Sequence, residues 1–271
     1  MDSRQLAHNV RLDVLDMIHN SHASHIGSAY SVADILAVLY ADILKYKTND
    51  PKWEKRDRLV LSKGHAGSAL YATLAEVGFY DKEELKTYDL DGSKFSGHIS
   101  HKGVDGVEFS TGSLGHGVCV ATGMALAGKL DKKPYRVYAI VGDGECNEGS
   151  FWETIMFANQ YNLSNFTIII DRNRMQAMGD IEKVIDTGDL AAKIKTFGFN
   201  VLSIDGNSHE ELLNAFKTQF DNDKPICIVA NTIKGKGVSF MENQLLWHYR
   251  DPQGEYYESA KKELEAEDYE K

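Results

Sequence analysis

The sequence predicts an α/β protein built on a parallel sheet with helices on both faces. Beyond Gly117, helix-like and strand-like segments alternate: Val118 to Leu130, Arg136 to Val141, Phe151 to Tyr161 and Phe166 to Asp171. Such alternation is the pattern of βαβ units. The strands centred on Tyr138-Ala139-Ile140 and Ile168-Ile169-Ile170 carry no outward polar face, as expected where helices cover both sides. A composition with 42% hydrophobic residues, 10% aromatics and only four prolines supports a packed core.

Leu6, Val10, Val14, Met17 and Ile18 recur at helical spacing behind Ser3, read as the cap of a first helix. Ser31 and Asp34 have capping-box spacing ahead of the apolar run Ile35 to Leu44, which predicts a buried second helix. A third is expected from Gly67 to Val77, stopping at Gly78. The first hundred residues therefore read as helical. From Tyr88 to Gly117 the chain turns to Gly, Ser, His and Asp without periodicity, and so long a loop is usually functional. Later, Asn200 to Ile204 and Ile226 to Ala230 read as strands, and Ser208 with Glu211 caps a helix reaching about Phe220. No repeat, low-complexity stretch or linker divides the chain. Residues 1–271 are read as one domain with an acidic helical tail over about 253–271.

Thirty Lys and Arg against forty Asp and Glu give a formal charge of −10, which argues against nucleic acid as a partner. No apolar stretch is judged to approach the roughly 20 residues that cross a bilayer, so no membrane association is expected. The N-terminal residues lack a basic segment followed by an apolar one, and Cys119, Cys146 and Cys227 have no metal-ligand spacing. Both features point to a reducing, cytoplasmic setting.

Chemistry concentrates where a strand ends at Val141 and the chain reads Gly142-Asp143-Gly144-Glu145-Cys146-Asn147-Glu148-Gly149. The next strand ends in Asp171-Arg172-Asn173. In a right-handed βαβ unit both strand ends share one edge of the sheet, the edge at which open α/β sheets bind ligands. Asp143 and Asn173 can meet there and offer two hard oxygens, a set that suits Mg²⁺ when diphosphate oxygens complete its shell. The rival dinucleotide reading, with Asp171 holding a ribose, lacks its third glycine because position 147 is Asn. A zinc site from His22-x-x-His25 or His98-x-x-His101 lacks helical i, i+4 spacing with a Glu.

Gly142-Asp143-Gly144 followed by Asn173 resembles the diphosphate-binding motif of thiamine-diphosphate enzymes. Further segments narrow the resemblance to transketolases: His22-Ala23-Ser24-His25-Ile26-Gly27, Leu61-Ser62-Lys63-Gly64-His65-Ala66, Ser96-Gly97-His98, Thr111-Gly112-Ser113-Leu114-Gly115, and Lys234 to Asn243 with Trp247-His248. They fall in the family's order across nearly the whole chain. The resemblance implies the thiamine-diphosphate-binding fold, with Mg²⁺ held by Asp143, Asn173 and the Met175 carbonyl. It implies Gly112, Ser113, Leu114, Gly144, Glu145 and Asn173 as cofactor-lining residues, and His65 and His248 beside the diphosphate or reacting carbons. His25 and His98 would face substrate hydroxyls, so that His25, His65, His98 and His248 form the catalytic set. His22, His101 and His116 are read as solvated.

The resemblance further implies ketol transfer, in which a two-carbon unit passes from a ketose to an aldose or other aldehyde acceptor. In the family the activating glutamate lies on a further domain, and no residue here takes that role. The expected partner is therefore a separately encoded C-terminal transketolase subunit, two copies of each chain forming a heterotetramer, with Glu148 at the subunit contact. Two alternatives are a component of a deoxyxylulose phosphate synthase or 2-oxo acid dehydrogenase, and a non-catalytic scaffold. Tyr249-Arg250-Asp251-Pro252 after His248, and Ile26-Gly27-Ser28-Ala29, depart from the family pattern and imply a specialised sugar acceptor.

Overall fold

A computed structural model of the chain describes residues 1–266. Five strands, β1 (Arg58–Leu61), β2 (Val137–Gly142), β3 (Phe166–Arg172), β4 (Asn200–Asp205) and β5 (Ile226–Asn231), form one sheet in the order β1-β2-β3-β5-β4. Every pairing is parallel. The helices are α1 (Ser3–Ser21), α2 (Ile26–Val38), α3 (Gly67–Glu76), α4 (His116–Leu130), α5 (Gly149–Gln160), α6 (Ile181–Val184), α7 (Leu190–Thr196), α8 (His209–Lys217) and α9 (Glu255–Ala266).

Alternate strand residues enter opposite cores. Leu59 and Leu61 of β1, Tyr138 and Ile140 of β2, Ile169 of β3 and Ile228 of β5 pack with the layer that contains α1, α2, α3 and α8. Val60, Val137, Ala139, Val141, Ile168, Ile170 and Val229 pack with α4, α5 and α7. The period of two is that of the pleat, and burial on both faces explains why the strands read as continuously apolar.

Several sequence expectations need correction. Asp2, one residue before the expected Ser3, caps α1 by accepting a hydrogen bond from the Gln5 amide at 2.9 Å. The second helix starts at Ile26, and neither Ser31 nor Asp34 caps it. Their side chains serve tertiary contacts instead: Ser31 Oγ donates to Asp171 Oδ2 (2.6 Å), and Asp34 accepts from Arg11 Nη2 (2.7 Å). Within Ile26–Ile43 the chain is also long and apolar enough to cross a bilayer by composition, contrary to the reading that none approaches it. That segment is 83% buried within the protein and acts as the core helix between α1 and the sheet. β1 interrupts the supposedly helical first hundred residues. Ser208 does cap α8, which ends at Lys217 instead of Phe220. The expected acidic tail is helical from Glu255 to Ala266, and its remainder, 267–271, lies outside the described residues.

A pH dependence arises on the α1 layer, where Lys82 Nζ sits 2.7 Å from Asp13 Oδ1 and also pairs with Glu76. Burial is the main reason the Asp13 carboxyl is pushed up to about 7; Lys82 opposes the shift and Glu76 adds to it. A folded value above the unfolded 3.8 means that this group's contribution to stability is full below 3.8 and is lost as pH rises through about 7. Thermal denaturation should therefore show a melting temperature that falls between about pH 5 and about pH 8, and a smaller fall in Asp13→Asn.

Candidate active site

The C-terminal ends of β1, β2, β3 and β5 deliver Lys63, Asp143, Asn173 and Lys234 to one edge of the sheet. Lys63, Asp143 and Asn173 line a cavity of about 320 Å³, together with His25, His65, His98, Gly112, Leu114, Gly144, Glu145, Met175, Gln176 and His248. The crevice lies beyond the carboxyl ends of the strands, where parallel sheets bind their ligands.

Beneath the cavity Asp171 is 0% exposed. It pairs with Lys63 Nζ through Oδ2 and accepts from Thr232 Oγ1 through Oδ1. This burial removes the ribose-binding role considered for Asp171 under the dinucleotide reading. Taking away one partner of a buried ion pair leaves an uncompensated charge, at a cost of about 3–5 kcal/mol. Lys63→Met is expected to lower stability by that amount, as chemical denaturation would measure.

Asp143 is 2% exposed, with Oδ1 accepting from the Gly144 amide (2.8 Å) and Oδ2 from the Arg174 amide (2.5 Å). Burial, and secondly the charge of Asp171, push its carboxyl up to about 6. Arg174 adopts a left-handed φ of 63°, turning the chain between Asn173 and Met175. Asn173 Oδ1 accepts from the Met175 amide (3.1 Å), and its Nδ2 donates to Ser31 Oγ (3.3 Å).

Glu145, also buried, ties three loops together. Its Oε1 accepts from Ser62 Oγ and from the Gly115 amide (2.8 Å), and its Oε2 from the Gly142 amide (3.2 Å). Glu148 is exposed beside Gly115 at the start of α5. Glycine is required at position 64, where a Cβ would stand 2.4 Å from the Thr111 carbonyl oxygen. That contact lets the turn carrying His65 lie against the Thr111–Gly112 loop.

The four expected histidines converge. The His25 ring lies 5.3 Å from His65, 5.6 Å from His98 and 5.1 Å from His248, centroid to centroid. His25 occupies a left-handed turn (φ 75°) ahead of α2, and its amide donates to the His248 carbonyl at 2.9 Å. Burial, reinforced by neighbouring cationic groups, pushes His25 down to about 4 and His248 down to about 3. His65 is likewise held well below the usual range, first by burial and then by Lys63. These three rings are neutral near pH 7. Lys234 Nζ lies 2.8 Å from His248 Nδ1, and burial with the nearby Lys63 lowers its ammonium to about 8. Lys234 remains mostly protonated at pH 7, so it donates to Nδ1 and the neutral ring carries its own proton on Nε2.

Ser113 departs from expectation: it is exposed and does not line the cavity that Gly112 and Leu114 border. His22, His101 and His116 are exposed; His22 bonds Asp251 and His101 bonds Ser110. Among the described residues, no group of three or more His, Cys, Asp or Glu could hold a metal, which leaves the zinc reading without a site. Sequence reasoning gave no role to Lys63, Lys234 or Gln176. Two of them had a signal, since lysine is almost never fully buried unless paired.

The residues present fit thiamine diphosphate with a divalent cation. Asp143, Asn173 and the Met175 carbonyl supply hard oxygens, and the raised Asp143 carboxyl marks a buried negative charge that a cation would stabilise. Gln176 Nε2 is a buried donor without a hydrogen-bond partner among the described residues, and Gln176 borders the cavity. Lys234 adds a cation suited to diphosphate oxygens.

Comparison with known proteins agrees. The family described as "Transketolase, thiamine diphosphate binding domain" matches residues 2–267. One of the two subunits of an apulose-4-phosphate transketolase from Phocaeicola vulgatus is 42% identical over 255 residues, 94% of this chain and 90% of that protein. The 6-deoxy-6-sulfo-D-fructose transketolase subunit SqwG of a Clostridium species is 39% identical over 268 residues, covering 98% of each. Among solved structures, transketolase from Campylobacter jejuni superposes with a TM-score of 0.90 at 32% identity. The match spans 97% of this chain but 42% of that longer one. The chain belongs to the transketolase family and carries its thiamine diphosphate-binding domain.

Proposed function

We propose that this chain is the N-terminal subunit of a split transketolase, which transfers a two-carbon ketol unit from a ketose to an aldehyde acceptor with thiamine diphosphate and Mg²⁺. The observation that carries the proposal is the convergence of four histidines with Asp143, Asn173 and Lys234 around one strand-end crevice, in a chain with the length of the two subunit relatives.

In this reading Asp143, Asn173 and the Met175 carbonyl hold Mg²⁺, and Lys234 with Gln176 Nε2 binds the diphosphate. Gly112, Leu114, Gly144, Glu145, His65 and His248 border the cofactor. When bound, thiamine diphosphate supplies the carbon nucleophile and electron sink for C–C cleavage and formation. The protein positions the sugar and moves protons. His25 and His98 hydrogen-bond to its hydroxyls, and uncharged imidazoles both donate and accept there at neutral pH. His248 offers its Nε2 proton, an orientation fixed by Lys234 at Nδ1.

A separate C-terminal subunit supplies the activating glutamate, and two copies of each chain assemble as a heterotetramer with Glu148 at the contact. The names of the two relatives, one acting on apulose 4-phosphate and the other on a sulfo-sugar, support a specialised sugar substrate over a common pentose phosphate. Calorimetry tests the cofactor assignment: thiamine diphosphate should bind only when Mg²⁺ is present, and most tightly once the C-terminal partner is added. Failure to bind in every mixture would remove the proposal.

A further inference from the structure

Tyr249-Arg250-Asp251-Pro252 forms a strap across the mouth of the site, and none of the roles assigned so far uses it. Three of its side chains point to three different neighbours. Arg250 folds back with its guanidinium over Tyr256 (4.5 Å) and Trp247 (5.8 Å). Asp251 Oδ2 lies 2.8 Å from His22 Nδ1 and accepts from Gln253 Nε2 at 2.9 Å. Tyr249 places its ring 4.6 Å from that of His248 and 6.0 Å from that of His25, yet the residue is 64% exposed.

The strap is anchored on both sides of Tyr249. Ahead of it, the His248 carbonyl accepts from the His25 amide. Behind it, His19 Nδ1 meets the Pro252 carbonyl at 3.0 Å, and Gln253 Nε2 donates to the His19 carbonyl at 2.8 Å. The anchors are the end of α1 and the left-handed turn at His22 (φ 56°) and His25 (φ 75°). A large aromatic ring is thus held against two cavity imidazoles with much of its surface in solvent. Carbohydrate sites pair such a surface, which takes up the apolar C–H face of a sugar chain, with a few placed polar groups.

We propose that Tyr249 is the specificity-determining wall for the acceptor sugar, its ring packing on the C–H face of the carbon chain beyond the aldehyde, and that the His22–Asp251 pair positions it. The inference rests on the transketolase reading and names the feature of the acceptor that this site selects. Acceptors of four or more carbons reach the ring; a two-carbon aldehyde does not.

The test uses the assembled enzyme with glycolaldehyde and with the best acceptor from a panel of three- to six-carbon aldoses. Tyr249→Ala is expected to lower kcat/KM for the longer acceptor about tenfold more than for glycolaldehyde, mainly through KM, with Tyr249→Phe restoring the ratio. His22→Ala should move the ratio the same way by about threefold. Equal losses for both acceptors, or loss of partner association on gel filtration in Tyr249→Ala, would assign the ring to structure or docking and overturn the proposal. Absence of turnover by the wild-type assembly would instead refute the transketolase reading itself.

Discussion

Asp143→Ala is expected to abolish Mg²⁺-dependent binding of thiamine diphosphate, weakening it more than about 100-fold, while the fold survives. The carboxylate is one of three candidate protein ligands, and a small hard cation has few substitutes for it. In the cation-free chain the same group is a burden, since burial and Asp171 push its carboxyl up to about 6. Its removal relieves that charge but leaves the Gly144 and Arg174 amides without their acceptor. An unsatisfied buried amide costs about 1–3 kcal/mol, so the two effects offset in the alanine variant. Asp143→Asn retains an acceptor and should melt at or above the wild-type temperature. Normal cofactor affinity in both variants would remove the site assignment; unfolding of both would make Asp143 a structural residue.

His25→Asn and His98→Ala should lower kcat by about 10²- to 10⁴-fold while cofactor affinity changes little. Asparagine is chosen at position 25 because it tolerates the left-handed turn, so a lost imidazole is not confused with backbone strain. The two rings approach each other near the cavity, and neither belongs to the candidate metal set. Comparing turnover with calorimetric cofactor affinity separates substrate handling from cofactor binding. If affinity falls in parallel with kcat, these rings hold the cofactor instead.

The central part of the fold was legible because both faces of β2, β3 and β5 are buried, and such strands carry an apolar signal that needs no knowledge of the tertiary structure. β1 escaped: four residues are too few to reveal a period, and it lies among helices. The start of α2 was misplaced because Ser31 and Asp34 have the spacing of a local cap, while their partners, Asp171 and Arg11, are distant in sequence. Local spacing cannot distinguish a cap from a tertiary contact. The metal set and four histidines were visible as motif letters, and each lines the cavity. Ser113 shared a motif with Gly112 and Leu114, but resemblance carries residue identity and not the direction of a side chain. Lys234 stood within a quoted motif without a role, because its meaning depends on His248, fourteen residues on and folded back against it.

The most direct test is a ketol-transfer assay of this chain by itself, of a C-terminal transketolase partner by itself and of their mixture, each with thiamine diphosphate and Mg²⁺. Turnover confined to the mixture, with the two chains co-eluting at equal stoichiometry, is the expected result. Turnover by this chain without the partner would contradict the account, because the chain would then supply its own activating acid.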